Sequence, residues 1–283
     1  GWIITDNSTD AVMPFVYTTP VVQGVDQIPT GSFTGGTFSS SDAANIPVNA
    51  STGEIDATNT GNVTIRYTLA DGCYNEQAIS LVSDQVDNVY SMAFDGVNDY
   101  IDVGSISITG SCSTSLWFKT TSTALSNLLG GVTGNSGNGG MFQYLGINGG
   151  KAVVFISGAN NIELAPQNVN DGLWHHLVLA YDSTTSGGPA KGTFYAYVDG
   201  VLTKTFDMSS FSSNWSIQTL TTIGAYDGGP FRFFNGSMDE VAVWDVTLTA
   251  PQIEGIYNAT ASGKTADLSI LTTPPIKWYR MGD

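Results

Sequence analysis

Residues 172–182 read GLWHHLVLAYD, and residues 192–206 read GTFYAYVDGVLTKTF. In the first stretch, successive side chains alternate between two faces, which is the period of a β-strand. In the second stretch, Asp199-Gly200 is a strong type I′ turn signal between two strands, so this stretch is predicted to be a β-hairpin. Short alternating runs of the same kind, separated by Gly, Asn and Asp, recur along the chain. The sequence therefore predicts an all-β protein.

Composition excludes several classes of partner. The 283 residues include nine Lys plus Arg against 25 Asp plus Glu, which gives a formal net charge of −16. Such an anion lacks the basic surface that binds nucleic-acid phosphates, and anionic lipid would repel it. No apolar run approaches the roughly 18 residues of a membrane-spanning helix. We expect no nucleic-acid partner and no membrane insertion. The N-terminus has no signal-peptide pattern and begins at Gly1, so we interpret the sequence as processed or excised from a longer one.

The first third of the chain is predicted to contain a small β domain. Residues 1–19 read as an extended N-terminal arm, and residues 20–87 as the domain itself. Within it, Asn62–Leu69 alternates apolar with polar side chains, as in a half-buried strand. The turn STGEID before the strand GNVTIRYT resembles the immunoglobulin-like repeats of bacterial surface proteins, which implies a small immunoglobulin-like β-sandwich.

Residues 88–262 carry an ordered set of motifs. In chain order they are FDGVNDYIDV, STSLWFKT, WHHLVLAYD, YVDG, IGA and FNGSMDEVAVW, followed by a short helix that Thr249 is predicted to cap. In the strand motif STSLWFKT, Leu116 and Phe118 share one face and Trp117 lies on the other. Together the motifs resemble a laminin-G-like domain of the concanavalin A-like jelly rolls. The resemblance implies two facing antiparallel sheets. From its own apolar face, the short helix is expected to pack on a sheet edge.

The two ends of the chain suggest a further interpretation. The C-terminal linker and strand, residues 263–283, end in IKWYRMGD, and the N-terminal residues 4–9 read ITDNST. Placed head to tail they would complete one motif seen in many laminin-G-like domains, so the chain could be one unit of a tandem array or homo-oligomer. A laminin-G-like domain with a nearby WYRMGD segment is also similar to those of marine phage structural proteins. The alternative is that both ends are ordinary edge segments.

No catalytic residues are predicted. Retaining glycosidases on jelly rolls need two carboxylates about 5 Å apart, but the only adjacent acidic pair is Asp239 and Glu240. Neighbouring residues on a strand point to opposite faces, so these two are not expected to flank one bond. The same argument separates His175 from His176, which we interpret as a packed pair with one buried and one exposed ring. Cys73 and Cys112 lack metal spacing and could be thiols or a single bridge.

Calcium is the predicted ion. Asp95, Asn98 and Asp99 lie in one tight turn, and hard cations take carboxylate and amide oxygens. The laminin-G-like resemblance implies that this turn approaches the strand that carries Asp239. The sequence therefore predicts a site formed by these four residues. The alternative is that Asp95 and Asp99 only cap the turn by accepting backbone hydrogen bonds.

A glycan site is predicted in the loop region after residue 214. Aromatic side chains with polar neighbours near loops are typical of carbohydrate sites. The candidate ligand-binding residues are Trp215, Tyr226, Asp227, Phe231, Arg232 and Asn235. The alternative is that the aromatic residues belong to the core of the sandwich.

These features favour a non-catalytic recognition or adhesion module located extracellularly, at a cell surface or on a virion. Its partner would be a glycan or a surface protein, with calcium as a structural ion. The alternative function is a structural subunit of a virion or extracellular filament that assembles through its terminal segments.

Overall fold

The computed structural model describes residues 14–108, 110–131, 142–156, 161–185, 192–207, 218–226, 231–260 and 263–282. The chain divides into two compact units, Gly1–Val86 and Asp87–Asp283. No helix in these described ranges is long and apolar enough to cross a membrane.

The first unit contains one four-stranded sheet. Its strands, in the spatial order β1-β4-β3-β2, are β1 Val21–Val22, β2 Gly36–Ser40, β3 Gly61–Leu69 and β4 Tyr74–Val82. The face predicted to be apolar in β3 is confirmed, because Val63, Ile65 and Tyr67 are buried while Arg66 is exposed. Burial of these side chains stabilises the unit through the hydrophobic effect.

Two expectations for this unit concern its N-terminal segment and its immunoglobulin-like fold. The arm predicted for residues 1–19 is wrong for its described end, because Phe15 and Tyr17 are buried in the core of the unit. Edge-to-face contacts of Phe15 with Tyr17, Phe33 and Phe38 hold this segment against the sheet. The core is also covered by short segments joined by single bridges such as Val48–Ile55, and the immunoglobulin-like assignment stays a prediction.

The second unit contains two larger sheets. One has six strands in the order β12-β11-β10-β9-β16-β7, and the other has the order β15-β14-β13-β8-β17-β19, with β6 also paired to β17. The bounds are β5 Gln85–Asp87 (across the unit boundary), β6 Met92–Asp95, β7 Ile101–Ile108, β8 Cys112–Lys119, β9 Ser126–Gly131, β10 Phe142–Asn148, β11 Lys151–Ile156, β12 Ile162–Glu163, β13 His175–Asp182, β14 Thr193–Val198, β15 Val201–Asp207, β16 Gln218–Ile223, β17 Asn235–Trp244, β18 Lys264–Ala266 and β19 Lys277–Tyr279.

The two sheets enclose one apolar core, which makes the unit a β-sandwich. Leu116 and Phe118 lie in this core with side chains of the six-stranded sheet, while Trp117 lies on the outer face. The face prediction for β8 is therefore confirmed. The hairpin at Asp199-Gly200 is also confirmed, since Val198 pairs with Val201 and both turn residues have positive φ.

The helix α1, Ala250–Asn258, begins at the predicted capping box on Thr249 and Gln252. It does not pack on a sheet edge as expected. Its buried residues Ile253 and Ile256 instead join a second apolar cluster on the outer face of β13, β14 and β17. The large apolar side chains on that face, above all the fully buried Trp244, explain the difference, because they need cover from solvent.

Strand β17 changes partner along its length. One edge pairs with β8 between Ser237 and Trp244, while the other pairs first with β6 at Asn235–Met238 and then with β19 at Val241–Val243. Between the two partners, one extra residue forms a bulge, and Glu240 has φ 52°. The C-terminal strand therefore completes a sheet of its own chain, as an ordinary edge segment would.

The bulge buries Glu240. Its carboxylate accepts a hydrogen bond from the Trp278 indole N–H, and the Arg280 Nε lies 3.5 Å from Oε1. Burial raises the pKa of Glu240 to about 7, and the neighbouring Asp239 carboxylate also raises it. The protonated form is therefore favoured in the folded state.

We expect this carboxyl to make the unit less stable as pH rises. A group with a higher pKa folded than unfolded contributes stability at low pH, and that stability is lost between pH 4.5 and about 7. The loss amounts to up to about 3 kcal/mol. Denaturant unfolding of Glu240→Gln across this range should lack this component. Glu254→Gln changes an exposed glutamate on α1 and is the control, so its free energy of unfolding should depend on pH as in the wild type. The same pH dependence of this free energy in the wild type and both variants would contradict the expectation.

Candidate functional site

The turn predicted to bind calcium is held by its own hydrogen bonds. Asp95 Oδ1 accepts from the backbone N–H groups of Val97 and Asn98, and Asp99 Oδ2 accepts from the Asp95 N–H. The bonds from the backbone lower the pKa of Asp95, the Val97 N–H having the largest effect. The capping role, given above as the alternative, is thus present in the structure.

The structure places the fourth predicted ligand elsewhere. Asn235 pairs with Asp95 across the β6–β17 ladder and donates from Nδ2 to the Asp95 carbonyl. Asp239 lies four residues further along β17, about 13 Å away at the rise of a strand. The four-residue calcium set is therefore corrected to the turn residues Asp95, Asn98 and Asp99. Within the described part of the chain, no three His, Cys, Asp or Glu residues are grouped to hold a metal ion.

Three of the predicted glycan residues come together. The rings of Tyr226 and Phe231 lie 4.8 Å apart, and the Arg232 guanidinium lies 5.5 and 5.4 Å from their respective centroids. We call these three residues the aromatic–arginine cluster. Arg232 has φ 60°, and its carbonyl accepts a hydrogen bond from Asn127 N of β9. That bond ties the cluster to the six-stranded sheet.

The other predicted glycan residues do not join this cluster in the described structure. Asn235 instead supports the 95–99 turn, and its carbonyl accepts a hydrogen bond from Thr120 Oγ1. Trp215 and Asp227 lie outside the described residues. Within the cluster, Phe231 is 47% exposed, so its ring is not part of the core.

The histidine pair is structural. His176 is fully buried, and its Nε2 lies 2.8 Å from Ser115 Oγ. Burial lowers the pKa of His176 to about 3, so the ring is neutral. His175 is not exposed as expected, since Asp199 and Asp171 flank its two ring nitrogens at 2.9 and 3.1 Å.

A cavity of about 360 Å³ lies beside β8 and β17 on the outer face of the larger sheet. Its lining residues, all in the second unit, are Asn88, Val89, Tyr90, Ser91, Trp117, Lys119, Trp174, Asp239, Thr260, Gly263, Lys264 and Thr265. The sequence motifs did not predict this site. One signal was available, because an outward Trp on a strand whose other face is apolar points to a covered or ligand-facing surface.

Residues 95–254, which are 160 of the 283, match the laminin-G sequence model of the concanavalin A-like lectin/glucanases superfamily. The chain belongs to this family. The laminin-G-like assignment from the motifs is thereby confirmed, and the two sheets of the second unit are its jelly roll.

Individual relatives are distant. A curated relative is the rat sushi, von Willebrand factor type A, EGF and pentraxin domain-containing protein 1, which is 25% identical over 113 residues. The match covers 38% of this chain and 3% of that protein. The native heptameric SAP-like pentraxin of Limulus polyphemus has TM-score 0.46 and 16% identity, over 57% of this chain and 78% of the pentraxin. The CBM40 of Ruminococcus gnavus IT-sialidase, bound to α2,3-sialyllactose, has TM-score 0.45 and 17% identity, over 61% and 97%.

We expect the 95–99 turn to depend on Gly96. Both Gly96 (φ 79°) and Gly104 (φ 70°) adopt a left-handed conformation, so either Ala substitution costs roughly 1 kcal/mol. A Cβ on Gly96 would also lie 2.8 Å from Asn235 Cβ, whereas nothing lies within 4 Å at Gly104. Gly96→Ala should therefore destabilise the protein by roughly 1 kcal/mol more than Gly104→Ala. Denaturant unfolding measures both variants, and equal losses would show that the Asn235 contact does not constrain the turn.

Proposed function

We propose that this chain is a non-catalytic recognition module that binds a glycan through the aromatic–arginine cluster. The observation that carries the proposal is the exposed ring of Phe231, packed on Tyr226 and flanked by the Arg232 guanidinium. Sugar rings present apolar C–H faces that pack on aromatic rings, and their hydroxyls accept hydrogen bonds from nearby donors. Arg232 supplies such donors within reach of the two rings.

The shape of the cluster suits a binding surface that is formed before its ligand arrives. The Asn127–Arg232 hydrogen bond holds Arg232 to a sheet strand, and Tyr226 N donates to the Phe231 carbonyl at 3.4 Å. A ligand therefore loses little of its binding free energy to ordering these three residues. The family supplies the fold, and fold alone does not select a ligand, so the glycan rests on these side chains.

A catalytic role is not supported by the acidic side chains. Asp239 lines the cavity, while the carboxylate of Glu240 contacts Trp278 and Arg280 on the neighbouring segment. The bulge interrupts the regular alternation of side chains between the two faces of the strand that was expected at Asp239 and Glu240. The two carboxylates nevertheless contact different neighbours. We therefore infer recognition without hydrolysis.

The proposed location is an outer surface, such as the cell surface, the extracellular space or a virion. A surface poor in cations suits adhesion to neutral partners there. In the alternative function, a structural subunit of a virion or filament, the terminal segments were expected to link one copy of the chain to the next. Residues 277–279 pair within their own chain, so this alternative now depends on other surfaces, and association of copies in solution would favour it.

The proposal predicts loss of glycan binding in Phe231→Ala. Removing the ring should weaken binding of the best ligand from a glycan array by roughly tenfold, or about 1.4 kcal/mol. Isothermal titration calorimetry measures the change. Val201→Ala is the control, since Val201 is 64% exposed on β15 of the other sheet. Unchanged binding in Phe231→Ala, or binding only to proteins, would refute the cluster as a glycan site.

Calcium at the 95–99 turn is a second part of the proposal. Asp95, Asn98 and Asp99 provide fewer than the six to eight oxygens that calcium takes, so water or backbone carbonyls would complete the shell and binding would be weak. We expect 10 mM CaCl2 to raise the melting temperature of the wild type relative to EDTA, by mass action on the folded state. Asp99→Asn should reduce this rise in melting temperature. An identical wild-type melting temperature with and without calcium would refute a calcium site at this turn.

A further inference from the structure

The cavity beside β8 and β17 has a rigid floor. Trp117 and Asp239 are direct cross-strand partners on that floor. The Trp117 indole is stacked with His176 at 5.0 Å and with Tyr257 of α1 at 5.7 Å. Because His176 is neutral and fully buried, this stack is apolar and fixed in place. The floor is therefore preorganised for a ligand.

The cavity also holds acceptor groups. Asp239 is only 4% exposed and is one of the lining residues. Asn88 Oδ1 is buried and accepts no hydrogen bond, while Asn88 N donates to the Gly263 carbonyl and fixes the residue. A buried acceptor without a donor is costly, so a ligand that donates to Asn88 would gain free energy.

The walls are aromatic and cationic. Trp174 is 37% exposed, and the Lys119 ammonium lies 5.2 Å from its ring centroid. Lys264, another lining residue, forms an ion pair with Asp87 in which Nζ and Oδ1 are 2.9 Å apart. The lining residues include the cations Lys119 and Lys264 and the acid Asp239, so neither sign of charge dominates the cavity. A neutral ligand suits such a lining.

From this geometry we propose that the cavity is a second binding site, which takes one neutral pyranose ring of a carbohydrate. Its hydroxyl groups donate to Asp239 and Asn88, and its C–H face packs on Trp174. A cavity of about 360 Å³ accommodates a ligand of this size. The proposal extends glycan recognition to residues that the aromatic–arginine cluster does not use, so either site can fail without the other.

The test is a ¹H–¹⁵N NMR titration of the tryptophan indole signals with methyl glycosides of neutral hexoses. We expect the Trp117 and Trp174 signals to shift. Trp244 is the internal reference, since it is fully buried and its indole donates to the Thr273 carbonyl. Trp→Phe variants assign the signals. Shifts confined to other tryptophans, or no shift with any neutral glycoside, would overturn the proposal.

Variants then separate the two sites. Trp174→Ala and Asn88→Ala should each weaken binding of the neutral glycoside by roughly tenfold. Leu173→Ala is the matched control, because Leu173 is 65% exposed, adjacent in sequence and outside the lining. Phe231→Ala should leave this titration unchanged. Equal affinity for the glycoside in wild type and Trp174→Ala, or a preference for uronic acids or amino sugars, would refute the neutral site. Loss of glycoside binding in Phe231→Ala would instead assign the sugar to the aromatic–arginine cluster. Thermal unfolding verifies that each variant is folded.

Discussion

The pairing of β17 is the constraint on which the rest of the second unit depends. Its N-terminal half holds β6 and, through Asn235, the 95–99 turn. Its bulge at Glu240 marks the point where the partner changes to β19. Its outer face presents Asp239 to the cavity and Trp244 to the helix cluster. A shift of register by one residue would exchange inner and outer side chains and remove all of these features together.

The bulge also explains how two adjacent acidic residues are both buried in a protein with so many exposed carboxylates. Asp239 Oδ1 accepts a hydrogen bond from the Glu240 backbone N–H, so the first carboxylate stabilises the turn that the second residue makes. The second then depends on the C-terminal segment, since Trp278 donates to it and Arg280 lies beside it. Burial is the main reason that the pKa of Glu240 is raised, and the neighbouring Asp239 carboxylate raises this pKa further.

The sequence predicted local features well where one short-range rule decides them. The alternation in β8 and β13, the Asp199-Gly200 turn and the Thr249 cap each depend on neighbours within a few residues. The site was predicted only in part. Tyr226, Phe231 and Arg232 are close in sequence and come together, but the expected meeting of Asp95 with Asp239 required the register along β17. The cavity could not be found this way, because its lining joins residues 88–91 to residues 260 and 263–265 and to three strands or their flanks.

The two proposed sites lie in different parts of the second unit. The aromatic–arginine cluster is tied to β9 of the six-stranded sheet, whereas the cavity lies on the outer face of the other sheet. The cluster flanks the connection from β16 of one sheet to β17 of the other, and none of its three residues lines the cavity. Under the two proposals, a polysaccharide that reaches both sites would gain avidity from the second contact. That gain would depend on the spacing of sugars in the target rather than on either site alone.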